Sequence, residues 1–187
     1  MTKNKRKREE EAEDSQKGRT LSSLCVILDL DQTILHSCAA SDVGADDAHD
    51  FCVWVDGVEY RTLLRPHALE LWRWLAKEAG MFGVWTAGNK EYAYQVTEAI
   101  VAKAGVQTTR PPDFVLDRDM CKGARLVKDL SLFKRCFPCY KSVLVDDNPV
   151  HKQFNVSNVV CVAPFVRGGK DDCELRKLFD PSLLLDC

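Results

Sequence analysis

Two apolar runs, each too short for a helix, stop on closely spaced aspartates. Leu24-Cys25-Val26-Ile27-Leu28 runs into Asp29-Leu30-Asp31, and Ser142-Val143-Leu144-Val145 runs into Asp146-Asp147. An unbroken apolar run of this length reads as a strand buried on both faces, the kind found in a parallel sheet covered by helices. In such sheets ligands bind beyond the carboxyl ends of the strands. The chain therefore sets four carboxylates where a ligand would sit.

The remaining pattern fits the same architecture. Asp56-Gly57 between the strand-like runs 51–55 and 58–64 is a strong hairpin signal, so a hairpin is inserted after the first strand. Pro66 opens a helix along which Leu69, Trp72, Leu75 and Ala76 repeat at helical spacing, with Gly80 as its stop. Residues 81–85 read as a strand, 90–104 as a helix closed by Gly105, 158–162 as a strand and 171–179 as a closing helix, while Arg110-Pro111-Pro112 marks a surface connection. The expected fold class is α/β: one domain over residues 21–187, with a central mainly parallel sheet, helices on both faces and a small β-hairpin insert. Residues 1–20 hold no large apolar side chain beyond Met1 and read as a flexible charged tail.

A length of 187 residues suits one domain, and 45% hydrophobic with 29% charged residues is enough for a core. The net charge of -2 implies no direct nucleic-acid partner. Nine cysteines, an odd number with no leader before them, point to a reducing compartment. No apolar stretch reaches the ~18 residues of a membrane span, so no membrane association is expected. The basic run at residues 3–8 reads as a nuclear address or as a solubilising tail; the expected location is the nucleus, otherwise the cytoplasm.

Four carboxylates at the ends of two strands repel one another, and a hard divalent cation with oxygen ligands, such as Mg2+, relieves that repulsion. Aspartate is also a common strand terminator, and either pair alone would read as a turn. Both pairs on one edge, with Thr86 ending a third strand and a lysine in a nearby loop, favour a site. Asp29 to Thr33 lacks the glycine and distal glutamate of a calcium loop. Cys136-Phe137-Pro138-Cys139 has metal-pair spacing but no second pair, so its thiols read as structural. His36 reads as a packing or hydrogen-bonding residue, and the four tryptophans as core or hairpin aromatics.

Asp29-Leu30-Asp31-Gln32-Thr33-Ile34-Leu35-His36, Arg65-Pro66, Trp85-Thr86-Ala87-Gly88, Lys128-Asp129-Leu130 and Val145-Asp146-Asp147-Asn148-Pro149 occur in this order. The series resembles the motifs of the haloacid dehalogenase superfamily, and more narrowly the small phosphatases acting on the C-terminal domain of RNA polymerase II. That resemblance implies a Mg2+-dependent phosphoserine/phosphothreonine protein phosphatase working through an aspartyl-phosphate. Asp29 is then the nucleophile, ionised at an ordinary pKa of about 3.9 without an activating base. Asp31 is the general acid and base and lends its carbonyl to the metal; Asp147 completes the metal ligands, Asp146 holds Lys128, and Thr86 and Lys128 bind phosphoryl oxygens.

By the same resemblance Val53, Val55, Tyr92 and Arg118 bind substrate, with core packing an equal reading of the valines and pairing with a neighbouring aspartate the other reading of Arg118. Asn89 departs from the family's apolar pocket residue, and the second hairpin strand departs by being short. About thirty residues between Thr33 and Arg65 leave no room for a large cap, which favours an extended phosphorylated peptide as partner; the expected working unit is a monomer. The alternatives are a catalytically silent protein-binding relative, or a phosphatase for a lipid or small phosphate ester.

Overall fold

The computed structural model describes residues 20–44, 47–105, 109–155, 157–166, 169 and 171–187. Apart from Thr20, the tail with its basic run lies outside the described residues. In chain order the elements are strands β1 (Leu24–Leu28), β2 (Leu35–Ala39), β3 (Phe51–Val55) and β4 (Val58–Leu64), helix α1 (Ala68–Glu78), β5 (Met81–Trp85), α2 (Lys90–Ala104), β6 (Phe114–Leu116), α3 (Ser131–Cys136), β7 (Lys141–Asp146), α4 (Val150–Phe154), β8 (Val159–Cys161) and α5 (Pro181–Leu185).

Five strands pair in parallel in the order β6-β5-β1-β7-β8, with β1 at the centre. Period-2 alternation divides the side chains of β1 between two cores. Leu24, Val26 and Leu28 join Leu71, Trp72 and Leu75 of α1 and Val96 and Ile100 of α2 on one face. Cys25 and Ile27 join Trp85, Phe133 of α3 and Leu144 on the other. The sheet is thus covered on both faces, as uninterrupted apolar strands require.

The insert is larger than the expected hairpin. Strands β3 and β4 are joined by Asp56 (φ 50°) and Gly57 (φ 77°), two successive left-handed residues that suit a tight hairpin turn. A third strand, β2, pairs antiparallel with β4, giving a sheet of order β2-β4-β3. Leu-His-Ser-Cys-Ala carries only one fully buried residue, Leu35, so β2 leaves no hydrophobic alternation to read. With seven residues, β4 is not shortened.

The closing helix over residues 171–179 is also corrected. Residues Glu174–Phe179 form a 3-10 helix, and a separate helix α5 starts at Pro181. Proline disfavours helical backbone at the residue before it and suits the first helical position. Asp180 therefore ends one element and caps the next, its carboxylate accepting Ser182 N–H at 3.0 Å.

An ion pair between a buried arginine and a partly exposed aspartate ties this C-terminal segment to the turn after β1. Arg65, after β4, donates from Nε and Nη2 to the two carboxylate oxygens of Asp172 at 2.9 and 2.8 Å, and from Nη1 to Thr33 O at 3.0 Å. Its guanidinium also lies 5.4 Å from the Phe165 ring centroid. Removing one partner of such a pair leaves a buried charge uncompensated, at a cost of about 3–5 kcal/mol. We expect Asp172→Ala to lose stability of that order in urea unfolding, and the double variant Arg65→Met/Asp172→Leu to recover most of it; a single variant as stable as wild type would contradict this role.

Candidate active site

Because the five strands are parallel, their carboxyl ends share one edge, and the three central ones bring Asp29 (after β1), Thr86 (after β5) and Asp146 with Asp147 (β7) together there. Asp29 N–H continues the sheet by donating to Val145 O at 3.0 Å. The chain then folds tightly: the amides of Thr33, Ile34 and Leu35 converge on Leu30 O at 3.2, 3.0 and 3.2 Å, and Gln32 adopts a left-handed φ of 61°. This turn leaves both Asp29 and Asp31 lining one cavity of about 350 Å³, together with Lys128, Asp146, Asp147 and His151.

Lys128 comes from the loop between β6 and α3 and is 2% exposed, a burial that requires paired charge. Its ammonium bonds Asp29 Oδ1 and donates to Asp146 Oδ2 at 2.7 Å. Burial pulls the Lys128 pKa down, but the Asp29 and Asp146 carboxylates outweigh it and leave the ammonium above its ordinary value. The carboxyl of Asp29 is raised by burial, against the pull of Lys128. The expectation of an unperturbed nucleophile is therefore corrected: its charge is held by Lys128 rather than by solvent. Burial likewise pushes the Asp31 carboxyl up to about 6, a value suited to a group that gives and takes a proton near neutrality.

Tyr92 and Thr86 surround Asp31. The Tyr92 hydroxyl bonds Asp31 Oδ1 and lies 2.8 Å from Ser37 Oγ, while Thr86 Oγ1 makes a long contact of 3.4 Å to Asp31 Oδ2. Thr86 is fully buried and is not among the residues lining the cavity; its neighbour Ala87 is. A second depression of about 410 Å³ adjoins the first, sharing Asp31 and Ala87, and is lined by Val55, Tyr60, Asn89, Tyr92, Arg118 and Leu126 among others. Val55 reaches this groove, whereas Val53 is a core residue outside its lining. Arg118 Nε donates to Ala87 O at 2.9 Å. Asn89 caps α2, accepting Tyr92 N–H at 2.9 Å, and donates to Asp56 Oδ2 at 3.1 Å.

Thr33 was not singled out by sequence reasoning, although it ends the Asp-x-Asp-x-Thr pattern four residues after Asp29. Its hydroxyl lies 2.9 Å from Asp29 Oδ2 and 3.2 Å from Asp147 Oδ1, and it accepts Asp147 N–H at 3.0 Å. His151 and Asn155, also unmarked, are buried behind Lys128. The nine cysteines are free thiols, Cys136 and Cys139 both exposed.

Carboxylate oxygens of Asp29, Asp146 and Asp147 lie within 4.8 Å of one another. An all-oxygen set of this kind fits a hard cation such as Mg2+. Asp146 is the least available of the three, since Oδ2 accepts from Lys128 and Oδ1 accepts Asn148 N–H at 2.8 Å. Among the described residues the Asp31 carbonyl accepts no hydrogen bond. Asp29, Asp147 and that carbonyl are the donors that fit.

The sequence signature of the NLI interacting factor-like phosphatases matches residues 24–183. Among solved structures, Fcp1, described as an essential RNA polymerase II CTD phosphatase, superimposes with a TM-score of 0.59 at 25% identity over 85% of this chain and 46% of its own. The fission yeast RNA polymerase II CTD phosphatase Fcp1, bound to beryllium fluoride, gives 0.58 at 20% identity over 92% of this chain and 54% of its own, a likeness of fold. This chain spans about half the length of either. No curated protein sequence matches it.

Replacing Lys128 should expose the electrostatics directly. Lys128→Met leaves the buried Asp29 and Asp146 facing each other, and the metal-free protein should lose about 3–5 kcal/mol at pH 7. Both carboxyls are already raised, so they take up protons as pH falls and the loss should shrink towards pH ~5. Chemical unfolding in chelator at the two pH values checks this; a loss that is equal or larger at low pH would contradict it.

Proposed function

The chain belongs to the NLI interacting factor-like phosphatases, and we propose that it is a Mg2+-dependent phosphoserine/phosphothreonine protein phosphatase acting through an aspartyl-phosphate on Asp29. The observation that carries this reading is the pairing of a buried and a half-buried carboxylate with separate partners on one cavity wall: Asp29 with Lys128 and Thr33, Asp31 with Tyr92 and Thr86. Burial raises both carboxyls, but Asp29 has an ammonium ion against it whereas Asp31 is hydrogen-bonded only by hydroxyls. Nucleophile and proton donor need that division.

In the proposed reaction an oxygen of Asp29 attacks phosphorus and the bond from phosphorus to the serine or threonine oxygen breaks. Asp31 gives its proton to that leaving oxygen. It then takes a proton from the water that attacks the acyl phosphate, releasing inorganic phosphate and restoring Asp29. The Lys128 ammonium faces the transferring phosphoryl oxygens from the Asp29 side, and Asp146 keeps it there. Thr86 orients Asp31 through its long hydroxyl contact. Asp29, Asp147 and the Asp31 carbonyl would hold Mg2+, which supplies positive charge against the phosphoryl oxygens when bound.

An extended protein segment is the favoured substrate class. The groove beside the cavity carries apolar Val55, Tyr60 and Leu126 with Arg118 at its wall, and all three strands of the insert line it, through Ser37, Val55 and Tyr60. A neighbour of the same fold is described as an RNA polymerase II CTD phosphatase, and that phosphorylated C-terminal domain, or another nuclear phosphoprotein, is the substrate we propose. The basic run at residues 3–8 supports a nuclear site of action.

Hydrolysis of phosphoserine peptides, free phosphoserine and a glycerophosphate ester, compared with and without Mg2+, tests the reading. We expect Mg2+-dependent turnover, kcat/KM at least about tenfold higher on peptides than on small esters because remote contacts are used, and a loss of at least about 10³-fold in Asp29→Asn. Turnover confined to the small esters would contradict a protein substrate. Folded protein inactive on all three would contradict the enzyme and favour a silent binding relative.

A further inference from the structure

We propose that His151 and Asn155 are positioning residues for Lys128, a backbone clamp that sets the reach of its side chain to Asp29. The inference rests on the reading above, in which Lys128 acts on the transferring phosphoryl group.

Lys128 stands in a stretch with little regular structure to hold it. Between the 3-10 turn at Arg118–Met120 and α3, the backbone has one isolated bridge, Lys122 to Val127, closed by a turn in which Leu126 takes a left-handed φ of 50°. A leucine is strained there, and such strain persists only where surroundings over-determine it. A lysine side chain has four rotatable bonds, so placing its ammonium on two carboxylates to hydrogen-bond precision needs a fixed backbone.

Three bonds supply that fixation, all from one short segment. Lys128 N–H donates to His151 Nδ1 at 3.3 Å, Lys128 O accepts from Asn155 Nδ2 at 2.7 Å, and Leu130 N–H donates to Asn155 Oδ1 at 2.9 Å. The Asn155 amide thus grips the peptide chain on both sides of Asp129, using its donor and its acceptor at once. Its Nδ2 also lies 3.0 Å from His151 O, which ties the two clamp residues to each other. With Nδ1 as acceptor, the His151 ring proton is on Nε2, 3.5 Å from Asp146 Oδ2. Both residues are buried, His151 on α4 and Asn155 directly after it.

The segment carrying the clamp is the one that follows β7. Residues 146–155 thereby deliver Asp146, Asp147 and the clamp in ten consecutive positions. The Lys128 backbone is thereby bonded to the segment that begins at its partner Asp146, although the lysine lies in a loop and Asp146 ends β7.

Steady-state kinetics of Asn155→Ala and His151→Ala, each made alone and in a Lys128→Ala background, test the clamp. In the wild-type background we expect kcat to fall about 10–100-fold with KM changed little, the scale typical of lost supporting contacts. His151→Asn, which can keep an acceptor near the Nδ1 position, should recover most of the loss. Inorganic phosphate, as a competitive inhibitor, should bind more weakly to both alanine variants. In the Lys128→Ala background neither variant should reduce the residual rate further, because the clamp acts only through Lys128. If Asn155→Ala does not fold, His151→Ala and His151→Asn carry the comparison. Equal losses in both backgrounds, or a wild-type kcat in the single variants of an enzyme that Lys128→Ala disables, overturn the clamp alone. A chain whose turnover is indifferent to Lys128→Ala overturns the clamp and the proposed function together.

Discussion

One ammonium group has to satisfy two buried carboxylates. Lys128 Nζ sits between Asp29 and Asp146, and all three side chains are buried at the carboxyl edge of the central sheet. Charges so placed are costly unless paired and hydrogen-bonded. Much of the surrounding structure meets that demand: Thr33 on the second oxygen of Asp29, Asn148 N–H on the second oxygen of Asp146, and His151 and Asn155 on the lysine backbone. A cation on the open side of Asp29 and Asp147 would complete the balance, since burial raises both carboxyls.

The parallel sheet makes this arrangement possible. It brings the ends of β5, β1 and β7 to one edge although they lie far apart in sequence. The Arg65–Asp172 pair then fastens the turn after β1 to the C-terminal segment, with Phe165 N–H on Gln32 O at 2.6 Å as a second tie. The turn that presents Asp29 and Asp31 is thereby held by two ties to the C-terminal segment, the kind of support that organises a site in advance.

What the sequence made legible follows from where the signal lies. Strand β1 and helix α2 could be read closely because apolar runs and helical spacing, with Gly105 as a stop, record burial directly. Asp29, Asp31, Asp146 and Asp147 were legible for the same reason, as polar residues ending apolar runs. Strand β2 was not, since its side chains are mostly half-exposed, and β6 is three residues long behind a pair of prolines. The closing helix failed on an Asp-Pro boundary. His151 and Asn155 carried no signal at all: a histidine and an asparagine four residues apart in a polar stretch acquire their roles only when α4 packs against the Lys128 loop. Thr86 was legible from its strand end, and it lies buried there with its hydroxyl 3.4 Å from Asp31 Oδ2.

The central claim is that Asp29 becomes covalently phosphorylated, and mass mapping of Asp31→Asn tests it most directly. With an aryl phosphate the leaving group needs no proton, so Asp29 should still be phosphorylated, while hydrolysis of the acyl phosphate stalls without the Asp31 base. After incubation with Mg2+ and acid quenching, the account predicts a gain of about 80 Da, one phosphoryl unit, on the peptide containing Asp29 and its absence in Asp29→Asn/Asp31→Asn. Phosphate on a different residue, or no adduct from a variant that binds the ester and retains the wild-type fold, would contradict it.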